Sequence, residues 1–506
     1  MMCNKTFLAL ALIGGLVKPA LAQVDSLALR YAETITEEEL RQHLTTLASD
    51  AFLGRDTGKE GQKMAAAYLK NEFVQAGIPP VTAPDPATIT EGYFQPYDLI
   101  EDQSGSISIE GSGRTLTYKK ELVYFNEAMT GDMPITEVVH LGGADRIPKD
   151  GLNGAVVLVN ASGMGQGLDV LGTLRTRLDA VRAAGAALIL VSVPSLATMV
   201  EGMHLSGTTL RLAYQVKTKS PTSSSAQMIM VDEAAMNELL RTTTMAGLGR
   251  KKKARRIPLV CTVKVRPGTS TITAENVLAY IEGSDKKEEL LVITAHYDHI
   301  GVENGVVYNG ADDDGTGTVA LIEIAEAFAQ AKAEGHGPRR SVLVMPVSGE
   351  EKGLLGSRYY SDHPVFPLEN TIADLNIDMI GRTDSAHSTA APYVYIIGSD
   401  RLSSELHAAN EAANANYTKL DLDYRFNAES DPNRFYYRSD HYNFARKGIP
   451  SIFYFSGVHE DYHQPGDDVE KIRFDLLRQR TMLVFHTAWI LAGRESRPTV
   501  DKPLKP

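Results

Sequence analysis

Five short stretches of the chain hold the side chains best suited to chemistry. They are His296-Tyr297-Asp298-His299, Asn309-Gly310-Ala311-Asp312-Asp313-Asp314-Gly315, Ser348-Gly349-Glu350-Glu351, Asp378, and a loop with His459, Glu460, Asp461 and His463. Imidazole and carboxylate are ligand types of Zn²⁺, and one carboxylate can bridge two ions. Two such ions, about 3.5–4 Å apart, can hold and activate a water between them. A further carboxylate must then act as general base near that water without being consumed as a ligand. The adjacent pair Glu350-Glu351 can supply both needs. Taken singly, each stretch has a plainer reading. A histidine at a strand end is commonly a surface group, and a pair of glutamates commonly lies on a solvated face. Acids before a helix often only cap it, which Asp312 and Asp314 could do.

Position argues against coincidence. The runs 290–295 (LLVITA), 341–347 (SVLVMPV), 372–377 (IADLNI), 393–398 (YVYIIG) and 451–455 (SIFYF) are apolar and rich in β-formers. Helical patterns lie near 316–333, 402–415 and 473–492. This alternation predicts an α/β domain with a mixed, largely parallel sheet flanked by helices. In such sheets ligands gather at the carboxyl ends of the strands. His296, Ser348-Gly349-Glu350-Glu351, Asp378 and the His459–His463 loop each follow one of those strands, and the aspartate triplet precedes the helix at 316.

Upstream, 36–48 and 60–76 have helical patterns, and 79–92 is a Pro- and Thr-rich loop. From about 130 to 265 the texture changes to a smaller α/β unit. It has strands at 155–161 and 186–194, a helix near 168–185 and a Gly/Ser/Thr-rich stretch at 201–227. The basic run from Arg250 to Arg256 is expected to be a solvated loop at the edge of that unit. The N-terminus has Lys5, an apolar run from Phe7 to Val17 and then Ala20-Leu21-Ala22, the pattern of a signal peptide cut after Ala22. Export, periplasmic or secreted, is therefore expected. Cys3 would leave with that segment, and Cys261 is expected as a core residue of a strand.

With 43% hydrophobic and 23% charged residues, the 506-residue chain is not a disordered one. A net charge of −12 makes it a poor general binder of nucleic acid or anionic membrane. No stretch after the N-terminal segment is apolar for the ~18 residues that a membrane span needs.

The blocks His296-x-Asp298, Gly310-Ala311-Asp312-Asp313-Asp314-Gly315-Thr316-Gly317, Glu350-Glu351-x-Gly353-Leu354-x-Gly356-Ser357, Asp378-Met379 and His463-x-Pro465-x-Asp467 carry a family resemblance. In order and spacing they resemble the motif blocks of the M28 family of co-catalytic zinc peptidases, over most of 270–492. Leu53-Gly54-Arg55 and Thr57-Gly58 are similar to that family's N-terminal segment. The unit at about 130–265 resembles a protease-associated (PA) domain inserted before the catalytic core. The layout expected is signal peptide 1–22, first part of the peptidase domain 23–128, PA-like unit 129–265, catalytic domain 266–495 and a tail 496–506.

The resemblance implies the zinc exopeptidase fold, two Zn²⁺ ions and peptide substrates. It implies that His296 and Asp378 bind one zinc, that Glu351 and His463 bind the other, and that Asp313 bridges them. Glu350 would be the general base, and Asp298 would orient His296. Ser439-Asp440-His441 would line the cleft, Asp467 could buttress the His463 loop, and a cis peptide would follow Asp313. The neighbouring M20 metallopeptidases insert their extra domain between the Glu-Glu block and the last histidine, whereas here the extra unit precedes His296. The implied activity is that of an aminopeptidase. A carboxypeptidase or dipeptidase would need a cation for the terminal carboxylate, with Arg358, Arg382, Arg434 and Arg438 as candidates. A receptor-like binding protein on the same scaffold is the reading from another class.

Overall fold

The structure is a computed structural model. It describes residues 24–82, 88–102, 107–125, 131–141, 151–161, 177–202, 209–215, 227–241, 243–249, 253–266, 269–387 and 391–502. The expected signal peptide and its cleavage site lie outside the described residues. So do most of 201–227, Arg250–Lys252 and part of the helix pattern near 168–185.

The site rests on a seven-stranded sheet. Its order is Ala279–Ile281, Arg340–Val347, Lys286–His296, Thr371–Ile377, Ser451–Phe455, Tyr393–Ile397, Asp421–Asp423. The four strands from Arg340–Val347 to Ser451–Phe455 run parallel, Tyr393–Ile397 is antiparallel to its neighbour, and Ala279–Ile281 is antiparallel at one edge. Strands covered on both faces carry unbroken apolar runs, and this one divides them by parity. Leu291, Ile293 and Ala295 face one cluster with Val319, Ile322 and Leu477. Leu290 and Val292 face the other with Tyr360 and Phe444. The helices Gly317–Ala333 and Phe474–Gly493 cover the first face, and Leu355–Asp362 and His441–Ala445 cover the second. All five strands and the three helices expected of the catalytic region are present. The edge strands Ala279–Ile281 and Asp421–Asp423 were not expected, because three residues are too few to show a period.

A second sheet of eight strands is drawn from Ile107 to Val265, in the order Arg114–Thr117, Ile107–Gly111, Arg255–Val265, Gly131–His140, Val156–Asn160, Leu188–Val193, Gln227–Asp232, Leu122–Phe125. It has its own apolar clusters, one around Ile109, Val138 and Leu190 and one around Val157, Ile189 and Val191. This sheet begins ahead of the boundary at 129 expected from texture. Its first three strands are only four or five residues long and the first two are partly polar, so composition alone does not mark the transition. A three-stranded sheet, in which Phe94–Asp102 pairs antiparallel with Thr269–Val277 and Thr209–Leu212, lies between the two regions. Cys261 sits buried and unpaired by disulfide in Arg255–Val265, and burial pushes its thiol up to about 11. Arg255 and Arg256 begin that same strand with exposed side chains, so the basic run does not end in a loop.

Candidate metal centre

His296 is the last residue of the strand Lys286–His296, and its Nε2 lies 3.2 Å from Asp313 Oδ1 and 3.7 Å from Asp378 Oδ1. Asp378 directly follows the adjacent strand Thr371–Ile377. On the other side of Asp313, its Oδ2 lies 3.1 Å from His463 Nε2, which is also 3.1 Å from Glu351 Oε2. Two groups of one imidazole and two carboxylates therefore share Asp313. Ligand atoms about 2.0–2.2 Å from a tetrahedral zinc stand roughly 3.3–3.5 Å apart, so these spacings suit an ion in each group. Asp313 Oδ2 and Glu351 Oε1 are buried without a hydrogen-bond partner, as atoms directed at a cation would be. The donor set and its geometry fit two divalent ions.

The sequence holds each of these side chains from behind. The turn Ala311–Thr316 has a cis peptide at Asp313–Asp314, as the resemblance implied. His463 and Met379 both take left-handed backbone, with φ of 56° and 59°. His296 Nδ1 lies 3.0 Å from the backbone carbonyl of Asp298, which turns Nε2 toward the carboxylates. The Asp298 carboxylate does something else. It stands 3.8 Å from His296 Nδ1, accepts from Thr57 Oγ1 at 2.7 Å and accepts from the backbone N–H of Glu350 at 3.2 Å. The expectation that it orients His296 is corrected: the backbone carbonyl does that, and the side chain anchors the Glu350 loop.

Asp467 ties two loops together: its carboxylate accepts from the backbone N–H of Asp312 and of Asp313, both at 3.0 Å to Oδ2, so it braces the bridging turn against the loop that carries His463. Asp314 accepts from the N–H of His296, Gly317 and Met379, joining three of the motif blocks. Of Ser439-Asp440-His441, expected to line the cleft, all three are buried. Ser439 donates to Asp378 Oδ2 at 2.6 Å and accepts from Asn376 Nδ2 at 2.8 Å, so it steadies a candidate ligand from the far side. Arg55 is buried and donates to the backbone carbonyls of Leu47, Tyr297, Asn309 and Gly310, which ties the segment before the second sheet to the ligand loops.

Glu350 stands outside both groups, its Oε2 3.9 Å from His296 Nε2. Burial pushes its carboxyl well up, with the charges of Glu351, Asp378 and Asp440 adding to that and His296 opposing it. Asp313, Glu350 and Asp378 line a cavity whose other walls include Met379, Phe453, Phe455 and Tyr462, with Arg438 at its side. Of the remaining arginines considered, Arg382 is tied to Asp461 and Glu460, Arg434 lies over the Tyr437 ring, and Arg358 is beside Gln215.

Residues 276–488 match the model of peptidase family M28. The chain is 28% identical over 275 residues to a probable zinc metalloprotease of Pyrenophora tritici-repentis, a match covering 46% of this chain and 54% of that one. It is 24% identical over 313 residues to the aminopeptidase YwaD of Bacillus subtilis, covering 58% of this chain and 64% of that one. The chain thus spans about half to two thirds of the length of these relatives. In fold it is similar to an aminopeptidase from Aneurinibacillus sp. strain AM-1, with a TM-score of 0.55, 17% identity and coverage of 95% and 98%. It is similar also to BSAP, a zinc aminopeptidase from Bacillus subtilis, with a TM-score of 0.52, 18% identity and coverage of 93% and 99%. All five residues of the two ligand groups, and Glu350 with them, fall inside the segment that matches the model of peptidase family M28.

Proposed function

We propose that the protein is an exported, zinc-dependent exopeptidase that hydrolyses the N-terminal bond of peptides. The observation that carries this reading is the placement of Glu350: it opens onto the same cavity as Asp313 and Asp378 and belongs to neither ligand group. Two Zn²⁺ held by His296, Asp378, Asp313, Glu351 and His463 would supply polarisation of the scissile carbonyl and acidification of the attacking water. Glu350 takes the proton of that water and returns it to the leaving amine. Burial and the neighbouring carboxylates raise its proton affinity, and bound cations would oppose that rise. The apolar wall of Met379, Phe453 and Phe455 receives the first side chain, and the neighbouring carboxylates favour a free α-amine. The names of the matched Bacillus relative and of both solved neighbours support the aminopeptidase reading.

Arg438 favours a second reading, a carboxypeptidase or dipeptidase, since it lines the same cavity and could hold a terminal carboxylate. One peptide of about six residues, offered free, N-acetylated and C-amidated to the zinc-loaded protein, separates the two. Loss of N-terminal residues, blocked by acetylation, is the expected outcome by mass spectrometry. Loss from the C-terminus, blocked by amidation, would overturn it. The sheet from Ile107 to Val265 is read as a PA-like unit that limits peptide access. Its removal should change the length preference, and an unchanged profile would reject that role.

A further inference from the structure

The site has a third imidazole. His299 is fully buried, its backbone N–H donates to Arg55 O at 3.3 Å, and it forms an isolated bridge with Asp56. Its ring is packed against Gly310, where an added Cβ would come within 2.4 Å of the ring Cγ. The ring is therefore held in place from two sides. Its Nδ1 lies 2.8 Å from Glu351 Oε1 and 4.0 Å from Asp313 Oδ2. Neither ring nitrogen makes a hydrogen bond, and neither does Glu351 Oε1 or Asp313 Oδ2. At 2.8 Å the ring and the Glu351 carboxylate form a close polar pair without the alignment of a full N–H···O bond.

A buried imidazole with no well-aligned hydrogen bond on either nitrogen is costly in a folded protein. Nitrogen and carboxylate atoms of His299, Asp313 and Glu351 lie within 4.8 Å of one another. Atoms that approach closely, stay unpaired and come from three separate segments are directed at a common centre. We infer that His299 Nδ1 is a ligand of the second ion, beside Glu351, Asp313 and His463. The inference rests on the two-ion reading above. It makes that ion's site asymmetric: His299 is locked on the end of the central sheet, while the His463 side chain is 21% exposed on a loop.

The test measures metal and not turnover. Apo protein is loaded with Zn²⁺, competed with a chelator and analysed for zinc per chain. The same proteins loaded with Co²⁺ report ligand number in the visible spectrum. The comparison is between wild type, His299→Ala and His299→Gln. Two ions in wild type, at least a tenfold weaker second ion in both variants and an altered cobalt spectrum are expected. Gln keeps a donor for Glu351 but is a poor zinc ligand. Recovery of wild-type affinity and spectrum in His299→Gln would overturn ligation and leave His299 as a residue that only positions Glu351. If His299→Ala does not fold, the Gln variant decides alone. Unchanged affinity in both would also overturn it. Fewer than two ions in wild type would defeat the two-ion reading itself, a separate outcome.

Discussion

His296, Asp313 and Asp378 at the carboxyl end of the central sheet form one group of a histidine and two carboxylates, and His43, Glu72 and Glu326 on the helices form another. In both, the ligand atoms lie within 4.8 Å of one another. In the first, all three residues are buried and each is held by a further contact. His296 bonds to the Asp298 carbonyl, Asp378 to Ser439, and the N–H of Asp313 to Asp467. In the second, only His43 is buried, and its Nδ1 is taken up by Tyr68 OH at 2.7 Å. Strand-end loops have free backbone N–H groups that fix carboxylates, whereas helix interiors have already used theirs. Direction and exclusion of water, and not composition, separate a candidate centre from a coincidence.

The first prediction breaks the better-held cluster. Asp313→Ala removes the carboxylate common to both groups and should lose the first ion, weaken the second and abolish turnover. Two zincs retained on elemental analysis would remove Asp313 from the site. Glu350→Gln should leave the zinc content intact and lower turnover by about 10²–10⁴-fold, since only proton transfer is lost. Near-normal turnover would transfer the base to another group. Ser439→Ala tests the contact behind Asp378, with an expected 10–100-fold weaker first ion in chelator competition. His43→Ala should change the zinc content not at all. A zinc lost in that variant would show that the helical cluster is a site after all, and the contrast drawn here would fail.

Much of this contrast was legible in the sequence. The central strands are buried on both faces, so they stand out as apolar runs, and the ligands follow directly at their ends. The short edge strands carry no such period, and the strands from Ile107 to Phe125 are only four or five residues long. The contacts that hold the ligands were the least legible. Ser439 lies 61 positions from Asp378, and Asp467 lies 154 from Asp313. Such pairs exist only once the sheet has brought its strand ends together. Asp298 has the spacing of a residue that orients His296, yet its backbone does so while its side chain turns to Thr57 and Glu350. Local spacing placed the residue correctly and could not tell which of its atoms was used.

The smallest expected effect lies beside the helical cluster, at Glu323, and concerns stability. Burial, with the charge of Glu39 added, raises the carboxyl of Glu323 to about 9, although the N–H of Thr36 opposes this. Its other oxygen is 3.9 Å from His43 Nε2 and has no hydrogen bond. Burial lowers the affinity of His43 for a proton, so the imidazole gives no compensating charge. The folded state then binds more protons at Glu323 than the unfolded state does between about pH 4.5 and 9, and stability from this group falls as pH rises through that window. Glu323→Gln keeps an acceptor for Thr36 and removes the charge. Its Tm should match wild type near pH 5 and exceed it by a few degrees near pH 8.5, measured as a paired difference so that other titrations cancel. An equal loss of Tm at both pH values would mean that Glu323 is ionised and paired in the fold, and that the helical cluster is better compensated than its contacts suggest.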